Sequence, residues 1–193
     1  MRSPADLLKH WDIEGEAQES PDAGLINATW VVGSPPQGIL QWVNPIFAST
    51  IQLDIDLFCR RLQEQGMQSP RLLPTLTGDL WVDDPDGGCW RLMTFIPGST
   101  HHQLRDPHMA QEAGKLVGRM HAALDGWEPR RYAPIRHIHD TPARMDELQG
   151  TLAQHPAHLL RDDVVPVALG IMEEWYSWEG STDLPKRICH GDL

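Results

Sequence analysis

The sequence predicts an α+β fold in which a strand-rich first half leads into a helical second half. Three observations predict it. β-rich runs gather before residue 95, at Trp30-Val31-Val32, Gly38–Val43, Leu80-Trp81-Val82 and Cys89–Met93, with turn residues between them. The stretch Phe95-Ile96-Pro97-Gly98 then breaks the pattern. From Pro107 onward, apolar residues recur at helical spacing. The chain is thus expected to divide into residues 1–96, a sheet lobe with one helix, and 97–193, a helical lobe. Two lobes joined by one crossing suit a ligand cleft.

Each element has a local cause. Ser3-Pro4-Ala5-Asp6 reads as a helix start, with Ser3 as cap and Pro4 in the first turn, and the helix ends near Trp11. Ile13 to Glu19 alternates loosely and is expected to be a strand. Ser20-Pro21-Asp22-Ala23-Gly24 is a turn cluster, and Gly33-Ser34-Pro35-Pro36-Gln37 joins the next two strands as a hairpin. Ile51, Ile55, Phe58, Cys59 and Leu62 fall at helical spacing, with Gly66 as a stop. Asp84-Pro85-Asp86-Gly87-Gly88 turns a second hairpin. Pro107 opens a helix with Met109, Ala113, Leu116, Val117, Met120 and Leu124 on one face. Thr141-Pro142 reads as a cap and first-turn proline leading Met145, Leu148 and Leu152. Asp162 or Asp163 is expected to cap a last helix whose stripe is Val164, Val167, Ala168, Ile171, Trp175 and Trp178, with Pro166 tolerated near its start. Arg187-Ile188-Cys189 reads as a short strand.

Composition narrows the function classes. The 193 residues carry 16 Lys+Arg against 27 Asp+Glu, a formal charge of −11, which argues against a nucleic-acid partner. A small polyphosphate is still admissible, because local field decides that. The N-terminus has no apolar signal region and no run approaches the ~18 apolar residues of a membrane helix, so neither secretion nor a membrane partner is expected. Three widely spaced cysteines, Cys59, Cys89 and Cys189, form no disulfide framework and no zinc spacing. A cytoplasmic location follows as the expectation. His pairs such as His101-His102 and His155/His158 lack a third ligand at metal spacing, so no metal site is expected from them. His121 is expected to be a hydrogen-bonded histidine at the core edge. The eight Trp are expected mostly in the core rather than in a cationic cage.

The triplet His190-Gly191-Asp192 carries the most chemistry. An Asp placed after a short strand and a His can accept the proton of a substrate hydroxyl, as the H-x-D of kinase catalytic loops does. Five segments, that of the triplet included, sit in kinase order. Gly24–Val32 and Gly38–Asn44 with Phe47 come first, then Phe95-Ile96-Pro97-Gly98, Leu116–Leu124 and Ile188–Leu193. Together they resemble the aminoglycoside phosphotransferase and choline kinase-like family of small-molecule kinases. The likeness covers about residues 13–193 and is nearest to its N-acetylhexosamine kinase-like branch, to which His139-Asp140-Thr141 adds.

The resemblance implies a protein-kinase-like bilobal fold, with an antiparallel N-terminal sheet lobe and an incomplete helical C-terminal lobe. It implies phosphoryl transfer from ATP to the hydroxyl of a small molecule, possibly an amino sugar, with Asp192 as base. Gly24 permits close backbone approach in the loop over the phosphates. Asn27 and Thr29 offer polar contacts there, or stabilise the turn through side-chain-to-backbone bonds. Met93 lines the back of an adenine pocket, and the Thr94 carbonyl and Ile96 N–H pair with the adenine edge. Where kinases carry a strand Lys paired with a helix Glu, this sequence has Gln41, with Ile55 and Leu57 near the Glu position and Asp54 and Asp56 out of step. Gln41 can donate a hydrogen bond to phosphate but brings no charge, which leaves the source of positive charge open. The Asn and second Asp that hold Mg²⁺ in such kinases would follow Leu193, so the metal ligands are expected beyond it and these residues alone are expected to be inactive. The alternative is a non-catalytic, nucleotide-binding module acting through a partner. Acceptor identity and oligomeric state are left open.

Overall fold

A computed structural model describes residues 3–20, 24–134, 140–178, 180 and 188. Its contacts divide the chain into two compact units, residues 1–134 and 135–193.

The first unit is built on an antiparallel sheet of five strands: β1 (Ala17–Glu19), β2 (Ala28–Val32), β3 (Gly38–Val43), β4 (Val82–Asp83) and β5 (Cys89–Thr94). Their order is β1-β2-β3-β5-β4. The two expected hairpins therefore form, and β3 and β5 come together at the centre of the sheet. Gly88 shows why the second turn needs glycine. Its φ is +78°, and a Cβ there would stand 2.3 Å from the Val43 carbonyl oxygen.

Alternation along the strands gives the sheet two unlike faces. One face carries Trp30, Val32, Leu40, Trp90 and Leu92 in the register Trp30↔Leu40↔Leu92. Against it pack Leu7 and Leu8 of α1 (Pro4–Leu8) and Trp11 of the following 3-10 turn (Lys9–Trp11), making the main core. Trp90 is fully buried, lies 5.1 Å from the Trp30 ring centre, and donates its indole N–H to the buried Asp84 carboxylate at 2.6 Å. Trp11 donates to the Leu73 carbonyl at 2.8 Å. These tryptophans serve the core, as expected, and their N–H groups are partnered as burial requires. Ser3 stands at the N-cap of α1, but its side chain makes no capping bond.

The opposite face meets α2 (Ile51–Glu64). Asp54 of α2 accepts from the backbone N–H groups of Tyr132 and Ala133 at 2.8 and 2.9 Å, and Arg61 donates to the Ala123 carbonyl at 3.0 Å. These bonds tie α2 to the end of α3 (Pro107–Ala123) and the segment after it. Asp106 caps α3 by accepting from Met109 N–H at 2.7 Å, with Pro107 in the first turn. Val117, Met120, Ala123 and Leu124 are at least partly buried, whereas Leu116 is exposed, so the buried stripe is narrower than the apolar one.

The second unit holds α4 (Thr141–Gln154) and α5 (Arg161–Ser177). Met145, Leu148 and Leu152 line the buried side of α4, as expected. Two local expectations are corrected. Asp140, not Thr141, caps α4, accepting from Ala143 N–H at 3.2 Å, because Thr141 is already helical. Leu160 occupies the N-cap of α5, and Asp162 and Asp163 lie inside its first turn, where they favour the helix dipole instead. The buried stripe of α5 is Val165, Ala168, Met172 and Trp175, while Val164, Val167 and Ile171 are exposed. The reason is that α5 is apolar on most sides, so periodicity alone could not choose the face turned inward. Residues 189–193 and the strand expected at 187–189 fall outside the described residues, Ile188 excepted.

The Gly88 geometry makes a direct prediction. Gly88→Ala should lower unfolding free energy by at least about 2 kcal/mol. Gly78→Ala, at φ +88° with nothing within 4 Å of the new Cβ, should cost only about 1–2 kcal/mol. Urea denaturation of both variants checks the difference.

Candidate functional site

The sheet face toward α2 changes character along its length. Val43 and Cys89 stand at one end, Thr29, Gln41 and Arg91 form the next row, and Val31, Ile39 and Met93 the row after that. The registers Thr29↔Gln41↔Arg91 and Val31↔Ile39↔Met93 place these rows two residues apart on every strand, which is about 7 Å. The apolar row is only half-buried, unlike the sealed core on the other side. It leads to the end of β5, where the chain leaves the sheet as Phe95-Ile96-Pro97-Gly98.

The polar row is a connected network. Gln41 accepts from Arg91 Nε at 3.0 Å and Nη2 at 2.5 Å through one oxygen, Oε1. Its amide Nε2 donates to Thr29 Oγ1 at 2.9 Å. Arg91 Nη1 donates to Oε1 of Gln52 on α2 at 2.9 Å. Gln52 is fully buried, and its Nε2 lies 3.6 Å from Cys89 Sγ. The helix residue that reaches the sheet is therefore Gln52, which meets Arg91 and Cys89 of β5. Ile55 and Leu57 do not hold that place, Asp54 is bound to residues 132–133, and Asp56 pairs with Arg60 at 2.8 Å. A register argument from β3 alone misses this, because the first turn of α2, not its middle, reaches the sheet.

The other residues singled out in the sequence are placed as follows. Gly24 stands in open space, with nothing within 4 Å of a Cβ built on it. It belongs to the connection between β1 and β2, where Leu25 is fully exposed. Asn27 spends its side-chain oxygen on Asn44 N–H at 3.0 Å, fastening the base of that connection to the end of β3. Thr94 donates its N–H to the Arg71 carbonyl and accepts Arg71 N–H on its hydroxyl, both at 2.9 Å. Ile96 is exposed at the chain's exit from β5, and its N–H makes no hydrogen bond among the described residues. Asp192 lies outside the described residues. His121, expected to be hydrogen-bonded at the core edge, is partly buried there, and its Nε2 has no partner among the described residues. Among the described residues no three His, Cys, Asp or Glu side chains gather as a metal set. No described helix is long and apolar enough to cross a membrane.

Sequence reasoning missed Arg91, Gln52, Val31 and Ile39. A signal for Arg91 was there: one cation inside the otherwise apolar run Cys89-Trp90-Arg91-Leu92-Met93. Its partners could not be read, because they come from β3 and α2.

With this geometry in view, comparison with known proteins identifies the kind of chain. Residues 17–193 match the family model APH, described as phosphotransferase enzyme family. The chain belongs to this family. Solved structures share its fold. An amicoumacin kinase in complex with AMP-PNP, Ca²⁺ and Ami aligns at TM-score 0.58 and 18% identity, over 86% of this chain and 51% of that one. An aminoglycoside phosphotransferase from Alicyclobacillus acidocaldarius aligns at 0.54 and 15%, over 91% and 51%. A spectinomycin phosphotransferase in complex with ADP and spectinomycin aligns at 0.52 and 14%, over 98% and 61%. This APH chain thus spans about half the length of the first two, and it has the α+β, protein-kinase-like fold the sequence predicts.

Burial also tunes the thiols beside the site. Desolvation pushes both Cys59 and Cys89 above the usual 9.0, partly offset by hydrogen bonding from Ser69 and from Ser49 and Gln52 respectively. The folded chain therefore holds these protons to higher pH than the unfolded chain. Stability should fall as pH rises past about 9. Thermal denaturation between pH 8 and 10.5 checks this, and the fall should be shallower in the Cys59→Ala/Cys89→Ala double variant.

Proposed function

We propose that this APH chain forms the nucleotide-binding part of an ATP-dependent phosphotransferase acting on a hydroxyl of a small molecule. The half-open apolar row Val31, Ile39 and Met93 carries the reading. It is the size of a flat ring system, it ends beside the exit from β5, and a polar row with a cation adjoins it. An adenine stacked there would meet Met93 at its back and the backbone of Thr94 and Ile96 at its edge. Its phosphates would run toward Thr29 and Gln41, under the connection that begins at Gly24. The division into a sheet lobe of residues 1–96 and a helical lobe of 97–193 belongs to this reading, with Phe95 to Gly98 as the hinge between them.

Asp192 is the proposed base. It would accept the hydroxyl proton as oxygen attacks the γ-phosphorus and the bond to the β-phosphate oxygen breaks. An amino sugar is the proposed acceptor, on the resemblance of the Gly38–Asn44 segment with Phe47, and of residues 139–141, to the hexosamine kinase-like branch. The amicoumacin and spectinomycin enzymes support a small-molecule acceptor in general. In such kinases the Mg²⁺ ligands are an Asn and an Asp that follow the base in sequence. These 193 residues by themselves are proposed to bind ATP without turning it over. The neutral Gln41 and Gln52, standing where a Lys–Glu pair is usual, favour a second reading, a nucleotide-binding module that acts through a partner.

Calorimetry tests the proposal. The 193-residue chain should bind ATP, and Ile39→Asp should weaken binding at least about tenfold by putting a carboxylate against the ring. Absence of binding at millimolar ATP would sink the nucleotide reading. ATP turnover by this chain that Asp192→Ala abolishes would overturn the proposed inactivity.

A further inference from the structure

Arg91 is a partly buried cation with no carboxylate partner among the described residues. Its guanidinium carries five N–H groups, and three are bonded, two to Gln41 and one to Gln52. Both partners are neutral amides, and among the described residues no carboxylate pairs with it. Burial without a balancing charge is costly for an ion, and burial is what lowers the Arg91 pKa from its ordinary value, with only the thiols of Cys89 and Cys59 opposing. A folded chain that accepts this cost for structure alone would be expected to place an Asp or Glu at position 41 or 52. It has glutamines at both, which fix the guanidinium through their oxygens and leave its charge unspent. One N–H remains unused on each of Nη1 and Nη2, and the residue is not sealed from solvent.

The position of this charge completes the picture. Arg91 stands opposite Gln41, one row from the apolar surface of Val31, Ile39 and Met93. That separation, about 7 Å along the strands, is within the reach of the phosphates of a nucleotide whose ring rests on the apolar row. We infer that Arg91, reaching across from β5, is the cation that receives the nucleotide's phosphates, taking over the task for which Gln41 lacks the charge. This rests on the nucleotide reading above. Gln41 and Gln52 act on Arg91 rather than on the ligand. A carboxylate in either place would neutralise it.

The test compares ADP with adenosine, which shares the ring but carries no phosphate. Both are titrated calorimetrically into the 193-residue chain and into Arg91→Met and Arg91→Lys. In the wild type ADP should bind more tightly than adenosine. Arg91→Met should lose roughly ten- to a hundredfold in ADP affinity, the value of one or two charge-assisted hydrogen bonds, with adenosine affinity unchanged. Unchanged adenosine binding also shows that the variant is folded. Arg91→Lys keeps the charge and should retain most of the preference for ADP, and it carries the test if Arg91→Met fails to fold. Equal ADP affinity in the wild type and Arg91→Met, or loss of all preference for ADP in a folded Arg91→Lys, would overturn the assignment while leaving the nucleotide reading intact. A wild type that binds neither ligand would overturn both.

Discussion

The pairing of β3 with β5 is the constraint on which the rest of the first unit depends. Side chains alternate along a strand, so one register decides what each face receives. With Leu40 opposite Leu92 and Trp42 opposite Trp90, the face toward α1 is closed by large apolar groups. The same register puts Gln41 opposite Arg91 and Ile39 opposite Met93 on the face toward α2. A slip by one residue would bury Arg91 under α1 and expose Trp90 on the other side. The Asp84–Trp90 bond and the turn at Gly88 lie at one end of β5 and hold that register in place.

The two faces carry different loads. The α1 side buries Leu7, Leu8, Leu40, Trp90 and Leu92 completely, and fully burying such a side chain contributes roughly 1.5–3 kcal/mol. The α2 side gives up part of that gain. Its middle row is amides and a guanidinium, its next row is left half-open, and its stability depends on hydrogen bonds that must all be made. Local sacrifice of packing is the usual mark of a surface shaped for a ligand.

Helical periodicity was a weaker guide than strand alternation. Met145, Leu148 and Leu152 were legible on α4 because polar residues surround them. On α5 the apolar residues run around most of the helix, and only contact with α4 selects Val165, Ala168 and Met172. Caps showed the same limit. Asp106 and Asp140 each close a helix through a side-chain oxygen, yet the sequence around 140 offers Asp and Thr side by side, and the backbone conformation decides between them.

The sequence by itself determined the order of strands and helices, the two hairpins, the break at Pro97-Gly98 and, through motif order, the phosphotransferase family. These are local or sequential properties, written in alternation, turn chemistry and spacing. Tertiary structure alone decided that Gln52 rather than a mid-helix residue reaches the sheet, at Arg91 of β5. It also decided that Asn27 is bonded to Asn44 just past β3 and Thr29 to Gln41, and that Arg91 lies between two neutral amides. Those facts need residues from three separate segments to meet. A one-dimensional pattern shows that Arg91 sits in an apolar strand, but only packing shows that its described partners are amides and not carboxylates.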